Sequence, residues 1–152
     1  MPKVADRTAS YFPVLAAERL DIALCRASTA VSRAAETEAA QSGVGVGQHL
    51  VLKMLAEVGP SSQRTLSDEL RIDRTVMVGI CDTLEKGGYV ERRRDPGDRR
   101  AYAVTITDSG RLLLSRAEAN VPEFLDATFG ALSRAERAQL STLLGKLLQT
   151  GP

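Results

Sequence analysis

Few residues in this chain could carry chemistry: one histidine (His49), two cysteines (Cys25 and Cys81) and a dense arginine cluster between residues 92 and 100. The cysteines lack the CxxC or Cys/His spacing of a zinc site, so no metal is expected. Catalysis would need a nucleophile, a base or metal ligands converging on one point, and no Ser-His pair sits at a recognisable elbow. The sequence therefore argues against an enzyme and implies no cofactor. Gly43-Val44-Gly45-Val46-Gly47 lacks the GxGxxG or GKS/GKT form and a preceding strand, so it reads as a flexible connector and not a phosphate loop. The arginines are different. Lys86, Arg92, Arg93, Arg94, Arg99 and Arg100 concentrate positive charge in a chain of formal net charge +1, with Glu91, Asp95 and Asp98 nearby in opposition. A surface for a polyanion must come from such local clustering when the total charge is near zero.

These basic residues need a frame. Tyr89 to Arg93 and Ala101 to Thr107 read as strands, the second with Tyr102, Val104 and Ile106 on one face. Between them, Asp95-Pro96-Gly97-Asp98 suits a type II turn, with proline presetting φ and glycine accepting positive φ. A basic β-hairpin is predicted. Ahead of it, Ser61 or Ser62 can cap a helix containing Leu66 and Leu70, and Asp73 can cap the next. In that second helix Met77, Ile80, Cys81 and Leu84 form one buried stripe, and Gly87-Gly88 closes it. Two helices joined by a turn of a few residues have the spacing of a helix-turn-helix.

With 152 residues, 43% apolar and 26% charged, the chain has the composition of one globular domain. Met1 to Ser10 lacks the apolar run of a signal peptide, and no stretch reaches membrane-spanning length, so a cytoplasmic protein with reduced thiols and no membrane partner is expected. Helical periodicity runs from about Phe12 to Glu38, with a seam of Leu20, Leu24, Ala27, Val31 and Ala34 suited to a partner helix. A shorter helix through His49, Leu50, Leu52 and Leu55 stops at Gly59-Pro60. After the hairpin, Thr107 caps a helix carrying Leu112 to Leu114, Val121, Phe124, Leu125 and Phe129, with Pro122 as a kink. Ser133 and Glu136 form a capping box for a last helix striped by Leu140, Leu143, Leu144, Leu147 and Leu148.

Helix, turn, helix and basic hairpin in this order resemble the MarR (multiple antibiotic resistance regulator) family across Val44 to Gly110. Asp98-Arg99-Arg100, then Ile106-Thr107 and Gly110, are similar to the family's D-x-R, five residues, L-T, then G signature, with Ile106 a conservative departure. Ile72 to Val78 and Leu84 to Arg93 also resemble its recognition helix and first wing strand. The resemblance implies a mainly α winged helix-turn-helix over about residues 44–107, flanked by dimerisation helices at about 11–38 and 108–150. It implies a homodimeric, ligand-responsive regulator, more readily a repressor, on a pseudo-palindromic operator of double-stranded DNA. Two recognition helices about 34 Å apart would match half-sites one turn apart.

On the recognition helix, Arg74 could reach a guanine edge or phosphate, Thr75 a base or phosphate, and Val78 a thymine methyl, while Gly79 would permit close approach. Many relatives carry serine and arginine at the last two positions, which leaves base readout here open. Ser62 and Gln63, opening the preceding helix, join the DNA-contact candidates. The resemblance assigns Arg100 to the minor groove with Asp98 holding its guanidinium, and Arg94 and Arg99 can reach phosphates. A module that keeps the fold without sequence-specific DNA binding is the competing reading.

In the family a small, often aromatic and anionic effector binds between the dimerisation helices and the winged helix. His49 lies near that junction and could sense pH or bond a carboxylate, although a structural histidine is the plainer reading. Leu24-Cys25-Arg26-Ala27 and Ser32-Arg33-Ala34 faintly resemble hydroperoxide-sensing relatives, which makes Cys25 a redox candidate. Ser28-Thr29 replaces the pair that would support a thiolate, so a buried, inert thiol is expected there, as at Cys81.

Overall fold

The computed structural model describes residues 11–149. Met1 to Ser10, and the extension of the last helix to residue 150, lie outside them. The chain separates into two compact units, one ending at Gln41 and the other beginning at Ser42. Among the described residues, no helix is long and apolar enough to cross a membrane.

The first unit holds α1 (Tyr11–Glu18) and most of α2 (Leu20–Ser42). One helix was expected here, and the two meet at Arg19. The i to i−4 hydrogen-bond spacing nevertheless continues, from Arg19 N–H to the Leu15 carbonyl and from Ala23 N–H to the Arg19 carbonyl. The Arg19 guanidinium forks onto Asp21 at 3.0 and 2.7 Å, placing a carboxylate in the first turn of α2 where the helix dipole favours it. Neither helix buries a residue, and Leu20 and Leu24 of the seam stand in solvent.

The second unit is built on α3 (Val46–Val58), α4 (Gln63–Leu70) and α5 (Arg74–Lys86), followed by β1 (Val90–Asp95), β2 (Asp98–Ile106), α6 (Asp108–Ala119), α7 (Val121–Thr128) and α8 (Arg134–Gln149). Its core joins Val51, Leu52 and Leu55 of α3 to Leu66 of α4, the α5 stripe, Val90, Val104 and Ile106 of the hairpin, and Leu114 of α6. Each large apolar side chain so buried contributes roughly 1.5–3 kcal/mol by leaving water. The helices around this core start and stop where local chemistry directs. Ser62, and not Ser61, caps α4 by accepting the Thr65 N–H at 3.0 Å. Arg71 ends α4 in a left-handed conformation, φ 54°, which opens the three-residue turn into α5.

The antiparallel strands pair from Val90 with Ile106 to Asp95 with Asp98. Ser61 adds an isolated bridge to Val104, exchanging both main-chain bonds at 3.1 and 2.8 Å, so the segment before α4 is tied to β2. Thr107 locks the base of the hairpin: its hydroxyl donates to the Gly88 carbonyl at 2.6 Å and accepts the Gly110 N–H at 3.1 Å, capping α6. The helix from Thr107 does not kink at Pro122. It ends at Ala119, and Pro122 sits in the first turn of α7, where its missing N–H costs nothing. Ser133 and Glu136 form the expected reciprocal box, at 2.8 and 3.2 Å, although Ser133 itself precedes α8.

Candidate nucleic-acid interface

Helix α5 faces inward with Met77, Cys81 and Leu84, and Ile80 is half-buried beside them. The 3.6-residue repeat then turns Arg74, Thr75, Val78 and Gly79 outward, and all four are exposed. Asp73 is occupied at the helix start, accepting the Thr75 and Val76 N–H groups at 2.8 and 3.4 Å. Arg74 reaches Asp68 of α4 only at 3.9 Å, with both side chains largely in solvent. Such a pair is worth little and leaves the guanidinium available to a phosphate or base edge.

Arg92 of β1 does not belong to the exposed basic cluster. Its guanidinium pairs with Asp82 at 2.6 Å and also bonds Glu85, both on α5, while its Nε donates to Gln63 Oε1 at 3.4 Å. One side chain thus joins the wing, the recognition helix and the start of α4. Gln63, a DNA-contact candidate, is half-buried against this arginine, and its Nε2 is buried with no partner among the described residues. Ser62 is half-buried as well, and its hydroxyl donates to Thr65 Oγ1 besides capping the helix.

The outer hairpin sorts the remaining arginines. Arg93 pairs with Glu91 at 2.7 Å. Arg94 lies over the Tyr102 ring, 5.9 Å from its centroid, and donates to the Arg99 carbonyl at 3.2 Å. Tyr102, expected on the face of Val104 and Ile106, is exposed while they are buried, because the core reaches along this face only as far as Val104. Arg99 and Arg100 are exposed, and neither side chain has an ion-pair partner among the described residues. Asp98 does not hold the Arg100 guanidinium. Its Oδ1 accepts the Arg100 backbone N–H at 2.9 Å, the donor nearest to a short side chain two residues upstream. The turn also departs from type II, because Gly97 is not among the glycines with positive φ. Asp95 Oδ1 accepts the Gly97 N–H at 2.8 Å and holds the turn by this local bond.

Away from the hairpin, half-buried His49 lies on α3 one turn before Lys53. Lys53 pairs with Glu118 of α6 at 2.7 Å, and this bond, with a further contribution from His49, holds the Glu118 carboxyl below the usual range. Cys25 is exposed, contrary to the expected burial, because α2 buries none of its residues. Thr29 bonds the Cys25 carbonyl at 3.0 Å. Cys81 is buried, and burial pushes its thiol up, away from the reactive thiolate. Among the described residues, no group of His, Cys, Asp or Glu could hold a metal ion.

A helix-turn-helix followed by a hairpin with unpaired arginines near its tip defines a winged helix protein. The MarR family model matches residues 42–101, and a Thauera aromatica protein named as the "putative transcriptional regulatory protein for hcr operon" is 35% identical over 74% of this chain and 68% of its own length. The HTH-type transcriptional repressor NicR of Pseudomonas putida is 32% identical over 68% of this chain, a match that spans 65% of NicR. BpsR of Bordetella bronchiseptica, whose DNA binding is regulated by 6-hydroxynicotinic acid, superposes with a TM-score of 0.81 at 27% identity, covering 88% of this chain and 96% of BpsR. The chain belongs to the MarR family of transcriptional regulators. Its relatives and fold are those of regulators, not enzymes.

Proposed function

We propose that this regulator is a ligand-responsive repressor that acts in the cytoplasm as a homodimer on a pseudo-palindromic operator. The observation that carries the reading is the division of the basic residues. Arg92 is neutralised within the protein by carboxylates of α5, whereas Arg99 and Arg100 on the wing and the weakly held Arg74 on α5 remain exposed. Phosphate contacts position a protein on a duplex, and base edges are read in the groove. Arg74, Thr75 and Val78 fit the major groove, Arg100 the minor groove, and Arg94 and Arg99 the phosphates. Ser62 and Gln63 would contribute from the start of α4, within the limits that their internal bonds set.

Dimerisation is supported by apolar surface exposed in one chain: Leu20 and Leu24 on α2, Leu125 on α7, and Leu143 and Leu148 on α8. A two-fold partner would cover them. Repression follows NicR, and a small aromatic anion as effector follows BpsR, with His49 as its candidate contact. Cys25, an exposed free thiol, stays secondary as a redox sensor.

Sequencing the DNA that the purified protein retains from fragmented genome tests this reading. A shared inverted repeat, bound with an affinity that falls steeply as salt rises, is expected. Retention of no sequence, or a protein that stays monomeric, would reject it in favour of a module that has lost operator binding.

A further inference from the structure

The second turn of the recognition helix carries no hydrogen-bonding group toward the groove. Val78 is 48% exposed, and Gly79 follows it. The polar neighbours are already engaged. Asp82, one turn further on, is paired with Arg92 at 2.6 Å, and the Thr83 hydroxyl donates to the Gly79 carbonyl at 2.9 Å. Arg74 and Thr75, one turn earlier, are the polar groups left on this face.

Gly79 is not explained by the fold. A glycine inside a helix costs about 1 kcal/mol relative to alanine. Its φ is not positive, and no neighbouring atom lies within 4 Å of where a Cβ would sit, so neither backbone nor packing requires it. A surface arriving from outside the protein would. In the major groove the base edges present hydrogen-bond donors and acceptors, and thymine alone adds an apolar methyl group, at C5. An exposed valine beside a bare Cα offers that methyl an apolar contact and offers no donor or acceptor a partner.

We infer that Val78, with the space opened by Gly79, selects a thymine in each half-site by apolar contact with its methyl group. This rests on the proposed operator binding and deepens it: the second turn of this helix asks for thymine by apolar contact and not by a hydrogen bond. Arg92 contributes by keeping the Asp82 carboxylate engaged on the same helix, where a free carboxylate would oppose the phosphates.

The test selects binding sites for the native protein from random double-stranded DNA, then replaces the thymines of the selected half-site one at a time with deoxyuridine, which removes the methyl alone. One position per half-site should weaken native binding roughly fourfold, the weight of one buried methyl group. Val78→Ala should bind the thymine site less tightly and lose the response to uracil at that position. If specific sites are selected but no uracil substitution weakens binding, the inference falls and operator binding stands. Equal weakening of native protein and Val78→Ala would assign the effect to DNA shape, and the inference falls again. If no sequence is selected, operator binding itself fails, and this inference with it.

Discussion

The Arg92 guanidinium lies 2.6 Å from Asp82, so the first strand of the wing is fastened to the third turn of the recognition helix. The arginine side chain is 24% exposed and the aspartate 48%, between the negligible worth of a surface pair and the large cost of breaking a buried one. Arg92→Met should therefore lower stability by about 1–2 kcal/mol in urea denaturation. A double-mutant cycle with Asp82→Asn should show coupling of at least about 0.5 kcal/mol. Strict additivity would mean that the pair does not fasten the wing.

Arg100→Ala separates the wing's DNA role from the fold. Its side chain makes no bond within the described chain, so stability should stay within about 0.5 kcal/mol. Operator affinity, measured by titration at fixed salt, should fall by roughly 1–3 kcal/mol. Unchanged affinity would remove Arg100 from the interface.

Two glycines give opposite outcomes with alanine. At Gly110 a Cβ would collide with the Tyr89 carbonyl and approach Ile106 Cγ1 to 2.8 Å, where helix α6 meets the hairpin base. Gly110→Ala should cost about 1–3 kcal/mol, the range for forced overpacking. At Gly79 nothing lies within 4 Å, so Gly79→Ala should stabilise the helix by about 0.5–1 kcal/mol. Thermal melts of both variants check the contrast.

The Lys53–Glu118 pair predicts a pH dependence with a definite sign. The bond to Lys53 lowers the Glu118 carboxyl, so its contribution is complete above the unfolded value of about 4.3 and is lost as pH falls through the lower folded value. Lys53 is raised chiefly by Glu118, so its share persists below the ordinary lysine range and is lost only as pH rises through the raised value. Native protein should thus exceed Glu118→Gln in stability at neutral pH, and the difference should vanish on acidification. A difference independent of pH would show that the pair is not the cause.

Much of the winged helix was legible because its signals are local. Asp73, Thr107 and the Ser133–Glu136 box act within three residues along the chain, and the Met77, Cys81 and Leu84 stripe follows from helical spacing. The arginine cluster was visible for the same reason, but not its division. Which arginines are neutralised depends on carboxylates of another element, and Asp82 and Glu85 are set against Arg92 only when α5 packs beside β1.

Apolar period and capping chemistry read directly from the chain thus established the helix-turn-helix, the hairpin and the outward position of Arg74, Thr75, Val78 and Gly79. Packing settled Ser61 as a strand partner of Val104, turned Gln63 toward Arg92 and set Asp82 and Glu85 against Arg92. The reason is that periodicity tells a side chain which way to face, whereas its partner is whatever polar atom the neighbouring element brings within bonding distance.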